Sequence, residues 1–339
     1  MIRSNESGDV VIDGHASTRG LIELWERTEL AGRRDIAPGT RTRFEAQARV
    51  LIEHLGDTRL RTLGADRIEA MYAQLVRGSN GRRPWGHASL VSLRSTLGQI
   101  LRFGVRRRII PPDRNIASAT VIPADAAGEK ERSALTVEQA HGLWDAAPGH
   151  VLGAMWRVAL LTGLRPGELA GLVWSSVDID GAHPSVTISR AVRVERGTAR
   201  LVDSVKTKGS YRTIALPPQL VPVLREHRAA QNVARIAAST WENADLVFCT
   251  GRGTPLNPSN VRRDLLKFCN EHGVPAISSN ELRHTAASMM LDAGMTLEQV
   301  ASVLGHKSTR MLERHYRHNL RPRVDVHVAA MTTVFAGMQ

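Results

Sequence analysis

Leu161-Thr162-Gly163-Leu164-Arg165-Pro166-Gly167-Glu168 sets a helix stop, an arginine and a helix start side by side. The apolar helical pattern of 150–161 closes at Gly163, because glycine takes the left-handed conformation that ends helices. Pro166 then suits the first turn of a new helix, where its missing N–H is not needed. Arg165 is therefore predicted on a short, fixed connection beside a helix N-terminus, a place that favours oxyanions. A lone arginine is usually a solvated charge, so the rest of the chain has to supply its context.

Downstream, Val186-Thr187-Ile188, Ala191-Val192-Arg193-Val194 and Tyr211-Arg212-Thr213-Ile214-Ala215-Leu216 alternate, which predicts one short antiparallel sheet over 185–216. Helical patterns return at 218–238, 258–271, 280–293 and 296–303. Upstream, another covers 136–147, and before it residues 115–133 lack periodicity and read as an interdomain linker. Four apolar stripes precede the linker: Leu21, Leu24 and Trp25; Phe44, Ala48, Leu51, Ile52 and Leu55; Ile68, Met71, Tyr72 and Leu75; Leu90, Leu93, Leu97, Ile100 and Leu101. They predict four amphipathic helices with arginine-rich polar faces, the last stopped by Pro111-Pro112. The expected organisation is a flexible N-terminus (1–16), a small basic helical domain (17–114), a linker (115–133), a larger domain (134–320) and a tail (321–339). The fold class is mainly α with a small antiparallel β-sheet.

At 339 residues and 42% hydrophobic content the chain can bury more than one core, in keeping with two domains. Its formal charge of +12 favours a polyanionic partner. Lysine is scarce (Lys130, Lys206, Lys208, Lys267, Lys307), so arginine carries nearly all the positive charge. Arginine suits bidentate phosphate recognition, although a GC-rich coding bias gives the same enrichment. Cys249 and Cys269 sit in apolar surroundings without metal or redox spacing and read as buried free thiols in a reducing compartment. The first twenty residues are polar, and no run approaches the ~18 apolar residues of a spanning helix. A soluble intracellular protein, without membrane partners, is expected.

Arg283, in Glu281-Leu282-Arg283-His284-Thr285, belongs to a helix carrying Leu282, Ala286 and Met289, where a cation must be paired or face a site. Two guanidiniums on one phosphate would oppose negative charge growing on its nonbridging oxygens. Leu304-Gly305-His306 adds an imidazole, and Tyr316 follows in Arg314-His315-Tyr316-Arg317-His318. A phenol is a poor nucleophile until cationic or hydrogen-bonding neighbours stabilise the phenolate, and this segment supplies them. A snorkelling surface tyrosine is the plain alternative. A hydroxyl expelled by tyrosine attack needs a proton, and Lys206 and Lys208, on the turn Val205-Lys206-Thr207-Lys208-Gly209-Ser210, are candidate acids. Carboxylate clusters of the DxD or DDE kind and HExxH are absent, and His306, His315 and His318 have poor ligand spacing, so neither metal nor cofactor is expected.

These residues resemble the tyrosine recombinases, the phage-integrase family, over about 17–320. Leu161 to Glu168, followed by Leu172-Val173-Trp174, is similar to that family's first-arginine box. Glu281-Leu282-Arg283-His284-Thr285-Ala286-Ala287-Ser288 resembles the second, and Leu304-Gly305-His306 with Tyr316 the third box and the nucleophile. The resemblance implies a two-domain clamp, a helical core-binding domain plus an α/β catalytic domain, closing on duplex DNA. It also implies that Tyr316 attacks the scissile phosphate, leaving a 3′-phosphotyrosyl link and a free 5′ hydroxyl, so that a partner strand reseals the break without ATP or metal. Arg165, Arg283 and His306 would bind the phosphate, and Lys208 would protonate the leaving oxygen. Lys208 is preferred to Lys206 because its shorter distance to Arg212 better fits the hairpin of the family it resembles. Implied partners are double-stranded recombination sites, a homotetramer on DNA, and accessory DNA-bending or directionality proteins, with the protein on the nucleoid in the cytoplasm. The short stretch before the first helix argues against a separate arm-site-binding domain.

One position departs from the family pattern. Asn280 stands where the second box usually begins with histidine. Asparagine can donate to phosphate but cannot take the tyrosine proton at neutral pH. His284, one helical turn on, can face the same way, which leaves the general base open between them and other groups. Two further readings are a helix-turn-helix regulator built on 296–310 and a DNA-binding relative without cleavage, motivated by Asn280. The tail is apolar (Val324, Val326, Val328, Met331, Val334, Phe335) and is expected to dock either on a neighbouring protomer, regulating Tyr316, or on its own domain.

Overall fold

Ser17 opens the first helix, its Oγ accepting the Gly20 N–H that no helix carbonyl can reach. Helix α1 (Thr18–Trp25) buries Leu21, Ile22 and Trp25 and runs on through a π-helical turn, Glu26–Leu30, that carries Leu30 into the core. Pro38 starts α2 (Pro38–Leu55), followed by α3 (Ala65–Arg77) and α4 (His87–Arg106). The apolar stripes of all four meet in one core, where each fully buried large side chain contributes roughly 1.5–3 kcal/mol. A polar network crosses that core. Gln47 on α2 donates to Ser92 Oγ (2.9 Å) and accepts from Thr96 Oγ1 (2.5 Å), both on α4.

The computed structural model describes residues 16–78, 83–126, 134–195, 197–203, 211–306, 308–309 and 312–313. The chain divides between Glu131 and Arg132 into two units, and the helices above make the first. Two details differ from expectation. Helix α4 ends at Arg106, ahead of Pro111-Pro112: Arg108 takes φ 53°, and Ile109 and Ile110 turn back to donate to Gly104 O, burying Ile110. Much of 115–133, read as linker, belongs to this unit. Its 3-10 turn Ile116–Ala119 lies on α3 and α4, Ala117 and Ala126 join the core, and Arg94 donates to Thr120 O (3.0 Å). Single apolar residues without a period make these contacts, so periodicity does not reveal them.

The second unit holds α5 (Val137–Ala146), α6 (Gly153–Thr162), α7 (Pro166–Ala170), α8 (Leu220–Ala237), α9 (Pro258–Glu271), α10 (Ser279–Asp292) and α11 (Leu297–Leu304). Capping boxes start three of them: Thr136 with Gln139, Ser278 with Glu281, and Thr296 with Gln299. Helix α6 is buried on most sides (Met155, Trp156, Val158, Ala159, Leu160) and packs between α8 and α10.

In place of the single expected sheet, the described residues form two. Strands β1 (Val177–Asp178), β2 (Ser185–Ile188) and β5 (Arg212–Ala215) pair antiparallel in the order β1-β2-β5, with Val186 opposite Ile214. Strands β3 (Arg190–Glu195) and β4 (Thr198–Asp203) make a separate hairpin, Val192 opposite Leu201, against α7. Alternation marks a strand, but its partner is set by long-range packing. Among the described residues no helix is long and apolar enough to cross a membrane.

Candidate active site

Helix α11 closes on Gly305, left-handed at φ 67° and ψ 44°. His306 N–H reaches back to Ala301 O (2.9 Å) and Gly305 N–H to Ser302 O (3.1 Å), an arrangement that leaves the carbonyls of Val303, Leu304 and Gly305 pointing out of the helix end. Three arginines from three other elements take those carbonyls. Arg212, at the start of β5, donates from Nε to Val303 O (2.7 Å). Arg283, on α10, donates from Nη2 to Leu304 O (2.9 Å), and Arg165, just before α7, from Nη2 to Gly305 O (2.8 Å). Arg283 Nη1 also donates to Gly163 O (2.8 Å), just past the end of α6. Guanidiniums at a helix C-terminus also complement its dipole.

Two glycines make room for this packing. Gly163 (φ 61°) could not carry a Cβ without coming within 2.5 Å of Leu304 Cδ2, nor Gly305 without coming within 2.6 Å of Arg212 Nη1. Each therefore supplies both a left-handed turn and close approach.

One buried carboxylate offsets the cations. Glu168 Oε1 accepts from Arg165 Nη1 (2.7 Å), and Oε2 from Arg212 Nη2 (2.9 Å) and the Arg165 backbone N–H (3.2 Å). Burial alone would raise its pKa, but the hydrogen bonds and charge of Arg212, then of Arg165, outweigh burial and hold it below the usual carboxylate value. The Arg212 side chain is 9% exposed and that of Arg165 41%, so only the latter keeps an open face.

His306 follows Gly305 and is half-buried. Its pKa is pushed down to about 4, first by burial and then by the positive charge of Arg283 and Arg165, with smaller effects of His284 and Arg212. The ring is thus neutral at neutral pH, and its buried Nδ1 has no hydrogen-bond partner among the described residues. A neutral imidazole can give or take one hydrogen bond at each nitrogen, according to tautomer. Asn280 lies exposed on the first turn of α10, one turn before the half-buried His284.

Of the residues singled out by sequence, Arg165, Arg283 and His306 meet at one helix end, and His284 is close enough for its charge to act on His306. Lys206, Lys208, Tyr316 and the tail lie outside the described residues. Sequence reasoning passed over Glu168 and Arg212 as site residues. Signals existed for both: Glu168 stands three residues after Arg165, and Arg212 shares a strand face with the buried Ile214. Three guanidiniums against one carboxylate, with a neutral imidazole alongside, make a positive site suited to a phosphate diester.

Residues 134–322 match the family model described as the phage integrase family. An integrase of Streptomyces ambofaciens is 30% identical over 346 aligned residues, which cover 99% of this chain and 84% of the relative. Among solved structures, the Tn1549 transposon integrase in complex with transposon right end DNA aligns at a TM-score of 0.72 with 14% identity, covering 94% of this chain and 99% of that one. A lambda integrase tetramer bound to a Holliday junction aligns at 0.62 with 19% identity, covering 90% and 78%. At such identities the structural likeness concerns the fold.

Proposed function

The chain belongs to the phage integrase family of tyrosine recombinases, and from that premise we propose that it cleaves and rejoins DNA strands through a 3′-phosphotyrosyl intermediate at Tyr316. The observation that carries this reading is the convergence of Arg165, Arg283 and His306 on the end of α11. Arg165 and Arg283 hold the nonbridging oxygens of the scissile phosphate and oppose the charge that grows there in the transition state. Their hydrogen bonds to backbone carbonyls fix both guanidiniums before DNA arrives, so little reorganisation accompanies the reaction. His306 is neutral and offers one ring nitrogen to the phosphate or to the attacking phenol. Lys208, or Lys206, protonates the departing 5′ oxygen. Because the phosphotyrosyl ester keeps the energy of the original bond, a 5′ hydroxyl from a partner strand reverses the step without ATP.

Asn280 changes one part of this scheme. In place of histidine it donates a hydrogen bond to phosphate, which leaves proton removal from Tyr316 to His306 or His284. The same residue favours a second reading, a relative that binds DNA without cutting it. The partner is a pair of duplex recombination sites in the cytoplasm, bound by four protomers, with the helical first unit as the core-binding part. The Holliday-junction tetramer of lambda integrase supports that stoichiometry. The apolar tail, 321–339, docks on a neighbouring protomer. Its deletion should weaken assembly more than binding to a single site, and equal loss of both would sink that element.

Covalent capture tests the main reading. A nicked duplex carrying the junction sequence that flanks the gene is incubated with wild type and with Tyr316→Phe, then run on a denaturing gel. A protein–DNA adduct with wild type alone is the expected result. No adduct, with DNA binding intact in both, would leave the non-cutting relative as the better account.

A further inference from the structure

Arg212 lies outside the set of residues assigned above to the phosphate, yet it is far more enclosed than Arg165 and nearly as enclosed as Arg283. Its side chain is 9% exposed, against 41% for Arg165, and its donors go inward: Nε to Val303 O, Nη2 to Glu168 Oε2 and Nη1 to Glu168 Oε1 (3.4 Å). Glu168 is itself 6% exposed on its side chain and is shared between these two arginines. The sharing bears on substrate binding. An ionised carboxylate with a single cationic neighbour forms a close forked pair with it, and a guanidinium held that way has fewer N–H groups left for phosphate. With Arg212 present, the negative charge of Glu168 is met from within the protein, and of the Arg165 guanidinium only Nη1 is drawn to it.

We propose that Arg212 is a positioning residue whose charge neutralises Glu168 and thereby leaves Arg165 free to bind the scissile phosphate. The inference rests on the recombinase reading above. It separates two jobs that Arg212 could do, because capping Val303 O needs only a donor whereas freeing Arg165 needs a charge.

The test is a double-mutant cycle read by adduct formation on the nicked duplex bearing the gene-flanking junction, with thermal melting followed for each variant. Arg212→Met should slow cleavage by about 100-fold, as loss of a transition-state donor does, while its DNA affinity stays within about threefold, since phosphate contacts elsewhere dominate binding. Glu168→Gln added to Arg212→Met removes the unmatched carboxylate and should restore cleavage by at least about tenfold, a coupling normal for side chains in contact. A merely structural Arg212 predicts no recovery, since the double variant still lacks the cap on Val303. If Arg212→Met does not fold, Arg212→Lys carries the test: it keeps a cation beside Glu168 and should cleave within about tenfold of wild type, because compensation needs the charge rather than the fork. A double variant as slow as Arg212→Met, or a folded Arg212→Lys as slow as Arg212→Met is expected to be, overturns the inference while wild-type adduct still stands for the recombinase reading. Absence of wild-type adduct would overturn both.

Discussion

In the first unit the ion-paired arginines stand outside, whereas in the second Arg283 and Arg212 stand inside. Arg19 meets Asp57, Arg33 meets Asp35 and Arg106 meets Glu29 across solvated surface, and the polar groups buried beneath them, in the Gln47 network, the Tyr72–Thr120 pair and Thr18, are uncharged. Arg283 and Arg212 are nearly as enclosed as the leucines around them, and their partners are backbone carbonyls and one buried carboxylate. The contrast shows that arginine enrichment is not itself a signal of function. What separates the two uses is that in the second unit the fold turns three carbonyls of one helix end, together with a buried carboxylate, toward one group of guanidiniums. A surface pair contributes about 0–1 kcal/mol, whereas removing a buried donor strands its acceptors.

That difference can be broken most severely at Arg283. Arg283→Met leaves the Gly163 and Leu304 carbonyls buried without their donor, at about 1–3 kcal/mol each. Urea denaturation should show that loss, and adduct formation should fall by about 10³-fold or more. A variant as stable as wild type would mean that the carbonyls find other donors. Next comes Gly305→Ala, which places a methyl against the Arg212 guanidinium and adds roughly 1–2 kcal/mol of left-handed strain. Its cleavage rate should drop further than its affinity for DNA, measured on the same duplex.

A pH series sharpens the comparison, because the depressed imidazole lies in the second unit. The folded pKa of His306, about 4, lies below its ordinary 6.5, so the native state binds fewer protons than the unfolded chain. The stability it contributes is complete above pH 6.5 and is lost as pH falls through 4. Glu168, also depressed, adds a further loss below its ordinary 4.5. Between pH 6.5 and 4 wild type should therefore lose more stability than His306→Gln in urea titrations. Parallel curves would show that the cluster does not hold the ring neutral. The smallest effect belongs to the first unit: Arg106→Ala should change stability by no more than about 0.5 kcal/mol. A larger change would erase the distinction between the two units.

The helices were legible because each buries one stripe. Leu90, Leu93, Leu97 and Leu101 announce α4 without knowledge of what they touch. The division of the β segments was not, since Val186 and Val192 alternate alike and only packing sends one to β5 and the other to β4. At the site, Gly163, Pro166 and Gly305 mark fixed turns, and motif order brought Arg165, Arg283 and His306 into view together. Glu168 and Arg212 stayed hidden for a physical reason. A charged residue looks solvated until its partner is known, and theirs are each other, 44 positions apart.

The end of α11 has a consequence for how the site comes apart. Val303, Leu304 and Gly305 receive their hydrogen bonds from α10, from β5 and from the connection before α7. Fraying that single turn would break all three at once, so intermediate openings gain little chain entropy for the bonds they lose. In hydrogen-exchange terms, the amides of Gly305 and His306 should behave as members of one cooperative unit spanning three remote parts of the chain. The arginine cluster is then either whole or open, and at rest it has few half-built forms.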